Sequence, residues 1–173
     1  MMSNSLKTST EGRVLIVERI FDAPRTLVFQ AFSDPGHLAN WWGPKGWQTE
    51  IREFDFKPGG VWYYCMKCMD KNQGEFYGQE SCGKAFYEEI AAPERLVYKD
   101  TFVDSNGNRM ENMPELLITM EFVEQNDKTN VITRTTFATE EALQQVKEMG
   151  IIEGVTSQYE RLDEFLEKTL VDQ

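Results

Sequence analysis

The sequence predicts an α+β fold in which one curved antiparallel sheet of about seven strands wraps a long C-terminal helix, and two patterns carry that reading. Residues 150–170 place Ile152, Val155, Tyr159, Leu162, Phe165, Leu166 and Leu170 at steps of three and four, one side of a helix roughly 30 Å long at ~1.5 Å per residue. Its other side carries Glu153, Glu160, Asp163, Glu164 and Glu167. Most of the remaining chain alternates apolar and polar residues with the period of two expected of half-buried strands. One helix cannot fill the whole concave side of a curling sheet, so a cavity between them is expected.

Taken in order, residues 13–21 read as the first strand, ended by Asp22-Ala23-Pro24. Pro24 suits the start of a short helix, because the N–H it lacks has no partner there anyway. Asp34-Pro35 repeats the device as N-cap and first helical residue of a second helix running towards Trp41. Residues 41–47 (WWGPKGW) put three indoles and three helix breakers into a bend. Strands follow at 48–56 and 61–69, hairpinned through Lys57-Pro58-Gly59-Gly60, then at 76–90 with a bend or bulge at Gly78 or Gly83, and at 95–103. A polar loop over 104–114 precedes a last hairpin of 115–124 and 129–138. Thr139 caps a helix opening on Glu140 and Glu141, which suit its positive end, and Met149-Gly150 separates it from the long one.

The chain of 173 residues suits one domain, read as 13–173 behind a disordered polar tail of 1–12. With 29 acidic against 18 basic residues, the net charge of −11 opposes binding to nucleic acid, and no apolar run is long enough for membrane insertion. Residues 1–11 show no secretory h-region, so a cytoplasmic location is expected, and three cysteines in such a chain read as free thiols.

Four blocks, APRTLVFQAFSDPGHLANWWGPKGW, FDFKPGGVWYY, APERLVYKDTFVDSNGN and GIIEGVTSQYERLDEFL, resemble in that order the activator of heat-shock protein 90 ATPase homologue family of the START-like (SRPBCC) superfamily, over about residues 13–170. The resemblance implies a helix-grip fold with a hydrophobic cavity between sheet and C-terminal helix. The superfamily includes lipid and sterol carriers, hormone-binding proteins and aromatase or cyclase enzymes. Eukaryotic members of the family engage the chaperone through a separate N-terminal domain, which residues 1–12 are too short to supply. Two positions depart from the family pattern: Val155 stands where Trp is common and Tyr159 where Leu is common, and both changes reshape the inner wall.

Inward parity and an adaptable, partly polar lining select Trp62, Tyr64, Met66, Tyr98, Phe102, Met120, Thr135, Met149, Val155 and Tyr159 as ligand-binding candidates. The function expected is a non-catalytic binding or carrier protein for a small hydrophobic or aromatic molecule. A cyclase- or dehydratase-like enzyme would need a buried acid or base, and Asp100, in phase with Tyr98 and Phe102, is the candidate. A chaperone-linked or other protein-interaction module would use the acidic surface. No cofactor is expected. Neither is a metal: Cys65 and Cys68, three apart on a strand, face opposite ways and lie ~10 Å apart. His37, the sole histidine, falls in the first turn of a short helix and is read as a surface residue.

Overall fold

The computed structural model describes residues 5–111, 113 and 115–171. Its strands are β1 (Lys7–Glu11), β2 (Val14–Phe21), β3 (Trp47–Phe54), β4 (Val61–Cys68), β5 (Glu80–Ala91), β6 (Arg95–Val103), β7 (Glu115–Gln125) and β8 (Lys128–Thr136). All pair antiparallel in one sheet ordered β1-β2-β8-β7-β6-β5-β4-β3. Helices α1 (Arg25–Ser33) and α2 (Pro35–Trp41) lie between β2 and β3, while α3 (Glu140–Glu148) and α4 (Ile151–Val171) follow β8.

Local chemistry sets these boundaries. Asp34 Oδ1 accepts the backbone N–H groups of Gly36 and His37 at 2.8 and 3.2 Å, so α2 begins with its free donors satisfied. Thr139 Oγ1 does the same for Ala142 N at 3.0 Å at the head of α3. Asn126 and Asp127 both adopt positive φ, which closes the β7–β8 hairpin in two residues.

Three expectations are corrected. The tail expected to be disordered supplies β1, paired with β2 from Lys7↔Glu18 to Glu11↔Val14, which is why the sheet has eight strands among the described residues rather than about seven. Its alternation is all polar and both its faces are exposed, so the apolar pattern gave no sign of it. The part of that tail before residue 5 lies outside the described residues. Residues 71–76 coil into a short 3-10 helix, Asp70 Oδ1 accepting Asn72 N at 2.9 Å, so the next strand opens at Glu80. Its irregularity falls between Tyr87 and Glu89 and not at Gly78 or Gly83. The third correction concerns the thiols: Cys65 and Cys82, directly opposite on β4 and β5, form a disulfide, leaving Cys68 as the free and buried one. The thiol count therefore no longer argues for a reducing compartment.

The inner face of the sheet carries Leu15, Val17 and Phe21 of β2, Val131 of β8, Leu116 to Phe122 in alternation on β7, Leu96 and Tyr98 of β6, and Trp62 and Tyr64 of β4, all buried. At one end α1 and α2 close over it with interlocked rings. Phe29 and Phe32 meet Phe122 at 5.1 and 5.4 Å, and Trp41 sits 4.8 Å from Phe32 with its Nε1–H donated to Ala31 O. Helix α4 then lies across the opening. Tyr159, Leu162 and Leu166 bury its inner stripe, and Arg19 of β2, itself buried against the Phe21 ring, pairs with Asp163.

The bend at residues 41–47 is tied to α4 by polar contacts. Arg161 Nη1 donates to the carbonyls of Trp42, Gly43, Pro44 and Trp47 at 2.9 to 3.3 Å, and Nη2 to that of Asn40 at 3.0 Å. Gln158 Oε1 accepts Gly43 N, Ser157 Oγ accepts Lys45 N, and Lys45 Nζ reaches Glu160 at 2.7 Å. Gly43 holds φ at 94° here, and a β-carbon on it would stand 3.1 Å from Met66 Sδ. Truncating Arg161 leaves several carbonyls unpaired in a half-buried place. Arg161→Ala should therefore lose on the order of 3 kcal/mol, read as a lower urea midpoint at unchanged slope. Arg161→Lys should recover little of it, since a point charge cannot fork over so many acceptors.

Candidate functional site

Between the sheet and the N-terminal half of α4 lies a cavity of ≈ 200 Å³. Leu15 and Val17 of β2, Thr133 and Thr135 of β8, Leu116, Ile118 and Met120 of β7, and Tyr98, Asp100 and Phe102 of β6 form its floor. Tyr64 closes one side, Phe32 and Trp42 come from the helical end, and Ile151, Val155, Gln158 and Tyr159 of α4 are the roof. Alternation explains the floor, since each residue is an inward position of its strand. Val155 explains why space is left, being small and followed one turn later by the ring of Tyr159, which packs edge-on against Phe21 at 5.1 Å.

Seven of the ten ligand-binding candidates meet here: Tyr64, Tyr98, Phe102, Met120, Thr135, Val155 and Tyr159. Three do not. Trp62 has the right parity but lies behind the wall, in contact with the rings of Trp42, Tyr64 and Phe54. Met66 packs against the Gly43 bend. Met149 is 65% exposed and stands with Met110, Met113, Val103 and one side of Phe102 around a separate outer cleft of ≈ 450 Å³. Among the lining residues that sequence reading missed, Trp42 matters most. The sequence pattern places it only among the three indoles of the bend, and it is also an indole that lines the space; neighbouring aromatic residues carry no rule for which ring turns inward.

Asp100 is the one charged side chain among the described residues lining the cavity. Tyr64 Oη donates to its carboxylate at 3.3 to 3.4 Å, long for a hydroxyl donor, and the backbone N–H of Thr101 supplies a second bond. Gly83 makes the first contact possible: it lies opposite Tyr64 in the β4–β5 register, and a β-carbon there would fall 2.5 Å from the phenol oxygen. Asp100 is half-buried in the wall of the cavity. Desolvation dominates and lifts its pKa from 3.8 to about 7, against the lowering pull of Tyr64 and Thr101. The same burial, with the Asp100 charge as second cause, pushes the phenols of Tyr64, Tyr98 and Tyr87 up. At the far end Thr133 Oγ1 is buried close to the Tyr159 hydroxyl but forms no hydrogen bond of good geometry.

His37 stays outside the cavity, its ring edge-on to Phe165 at 5.1 Å. On the outer face of the sheet Cys65, Cys82 and Glu80 bring potential metal-ligand atoms within 4.8 Å of one another, but sulfurs joined in a disulfide have no thiolate to offer.

A family model described as Activator of Hsp90 ATPase homolog 1-like protein matches residues 22–167. A crystal structure of a Mycobacterium smegmatis protein superposes with a TM-score of 0.82 at 29% identity, covering 94% of this chain and 95% of that one. The solution structure of an Arthrobacter aurescens protein gives 0.83 at 27% identity, with 95% and 91% covered. The AHSA1 protein of Silicibacter pomeroyi shares the fold at 21% identity and a TM-score of 0.68, with 92% and 99% covered. A comparison with curated proteins returns no match.

The raised pKa of Asp100 makes stability depend on pH in a defined direction. The folded state holds this proton up to about pH 7, whereas the unfolded chain releases it near 3.8. Folding therefore binds a proton between these values, and the contribution of Asp100 to stability falls as pH rises through that window. Asp100→Asn lacks the titration. Its stability relative to wild type should climb from pH 4 to 7 by at most on the order of 4 kcal/mol, less by whatever hydration the cavity supplies, and level off above. Urea denaturation of both proteins across that range reads it, and parallel curves would contradict the burial of a lone carboxyl.

Proposed function

This chain belongs to the Activator of Hsp90 ATPase homolog 1-like family, and from that premise we propose that it holds a small hydrophobic or aromatic molecule in the cavity beneath α4, as a binding or carrier protein that does not transform it. The observation carrying this reading is a cavity lined mostly by apolar and aromatic side chains with a few polar groups among them. Its ≈ 200 Å³ lies above the roughly 150 Å³ that admits benzene and below the ~300 Å³ at which drug-sized sites begin, so the size suits one or two rings. No helix among the described residues is long and apolar enough to cross a membrane. A cytoplasmic place belongs to the same proposal, and cell fractionation tests it.

Titration with a panel of aromatic compounds and lipids, read by tryptophan fluorescence, should give saturable quenching with a Kd near micromolar, ~8 kcal/mol. Trp42 lines the cavity, so Trp42→Phe should remove most of the signal while Trp47→Phe should not. Val155→Trp should fill the space and weaken binding at least about tenfold, with stability kept within ~1 kcal/mol; a close-packed core would instead lose ~1 to 3 kcal/mol to overpacking. A panel that gives no saturable signal on folded protein would sink the reading.

A second reading, an enzyme of cyclase or dehydratase type, is favoured by the carboxyl of Asp100, held near neutral pKa beside a phenol and facing the space where a substrate would lie. Turnover of a bound compound, abolished in Asp100→Asn with binding retained, would replace carriage by catalysis.

A further inference from the structure

The proposed ligand site contains an unbalanced charge. Among the described residues Asp100 has no cationic partner: its contacts are the long bond from Tyr64 and the backbone of Thr101, and the residues that line the cavity include no Lys, Arg or His. Two inward or half-buried cations of the fold are committed elsewhere: Arg19 to Asp163 and Ile20 O, and Arg161 to the carbonyls of the bend. The cavity that Asp100 lines is also lined by the rings of Trp42, Tyr64, Tyr98, Phe102 and Tyr159, and aromatic faces attract positive charge. A buried carboxylate without a counter-ion is costly, and a wall of π-systems is the one apolar lining that also stabilises a cation.

Resting on the cavity reading above, we propose that the molecule this site takes is a small organic amine, its ammonium against Asp100 and its hydrocarbon body among the rings of Trp42, Tyr98 and Tyr159. The same feature works against carboxylic acids, fatty acids included, whose negative end would meet Asp100 with no cation to receive it. The net charge of −11 assists the encounter by drawing cations towards the surface.

The amine and the proton compete for one carboxylate. The groups facing Asp100 are the phenols of Tyr64 from β4, Tyr87 from β5 and Tyr98 from β6, with Leu116 from β7 and the neutral Gln158 and Tyr159 from α4 in the shared cavity. None changes charge between pH 5 and 7, so Asp100 alone sets the response there. Below its pKa of about 7, seating an ammonium expels one proton to solvent, and amine affinity should rise roughly tenfold per pH unit before flattening. A neutral ligand releases no proton and should show no such rise.

Three probes of one shape separate the possibilities: naphthylmethylamine, naphthylmethanol and naphthoate, titrated by calorimetry in raised salt so that surface charge is screened. At pH 8 the amine should bind at least about tenfold tighter than the alcohol, and naphthoate weakest. Asp100→Asn, checked for folding by circular dichroism, should erase the amine preference and leave the alcohol within about twofold. The rise of amine affinity from pH 5 to 7 in wild type is an independent reading should the variant fail to fold. Equal binding of alcohol and amine, tighter binding of naphthoate, a preference that survives in Asp100→Asn, or a flat pH profile would each overturn the amine assignment while leaving the cavity as a binding site. Silence from all three probes at millimolar concentration would overturn the cavity reading and the amine with it.

Discussion

The fold turns on a single guanidinium. Arg161 projects from the middle of α4 into the bend at residues 41–47 and donates to five backbone carbonyls, of which those of Trp42 and Pro44 also accept from Thr49 Oγ1 and Trp47 N. Burial disfavours its charge, and the carbonyl dipoles answer it. With Gln158 and Ser157 on the same side and Asp163 held by Arg19 on the other, the helix is anchored by directional contacts through residues 157–163. Packing alone would draw it onto the sheet along its whole length. On the C-terminal side of Arg161 it does pack closely, through Leu162 and Leu166. On its N-terminal side the inner residues are Ile151, Val155 and Gln158, and the space beneath them stays open.

That arrangement accounts for the polar end of the cavity as well. Tyr64 and Asp100 belong to strands separated by β5, and their side chains meet because Gly83, between them, has none. The carboxylate is thus reached by one phenol and one amide, fewer partners than it can accept. A floor of aliphatic residues next to it gives no further relief. The site is solved for hydrocarbon and left open for charge.

Much of this could be read from the chain. Periods of two and 3.6 located the sheet and α4, and parity put Tyr98, Asp100 and Phe102 on one face of one strand, where they are found. The two Asp- and Pro-marked helices follow from capping chemistry, which is local. What could not be read is whatever depends on depth or on long-range register. Trp62 and Tyr64 share a face, yet only Tyr64 reaches the cavity, because Trp42 from a distant bend stands in front of its neighbour. Met149 falls just beyond α3, where helical phase no longer constrains it. Pairing of Cys65 with Cys82 rests on the β4–β5 register, which a hydrophobic pattern fixes only to within the choice of face, and β1 is polar on both sides, so alternation carried no message there.

That disulfide sits one residue from the chemistry. Cys65 and Cys82 are opposite each other on the outer face, and the adjoining pair, Tyr64 and Gly83, is opposite on the inner. A slip of either strand by one place would turn Tyr64 outward and set a side chain where Gly83 leaves room. The covalent link makes that slip impossible without breaking a bond. It acts as an indexing pin driven from behind, holding the phenol and the gap in front of it aligned through every fluctuation that leaves the two strands attached.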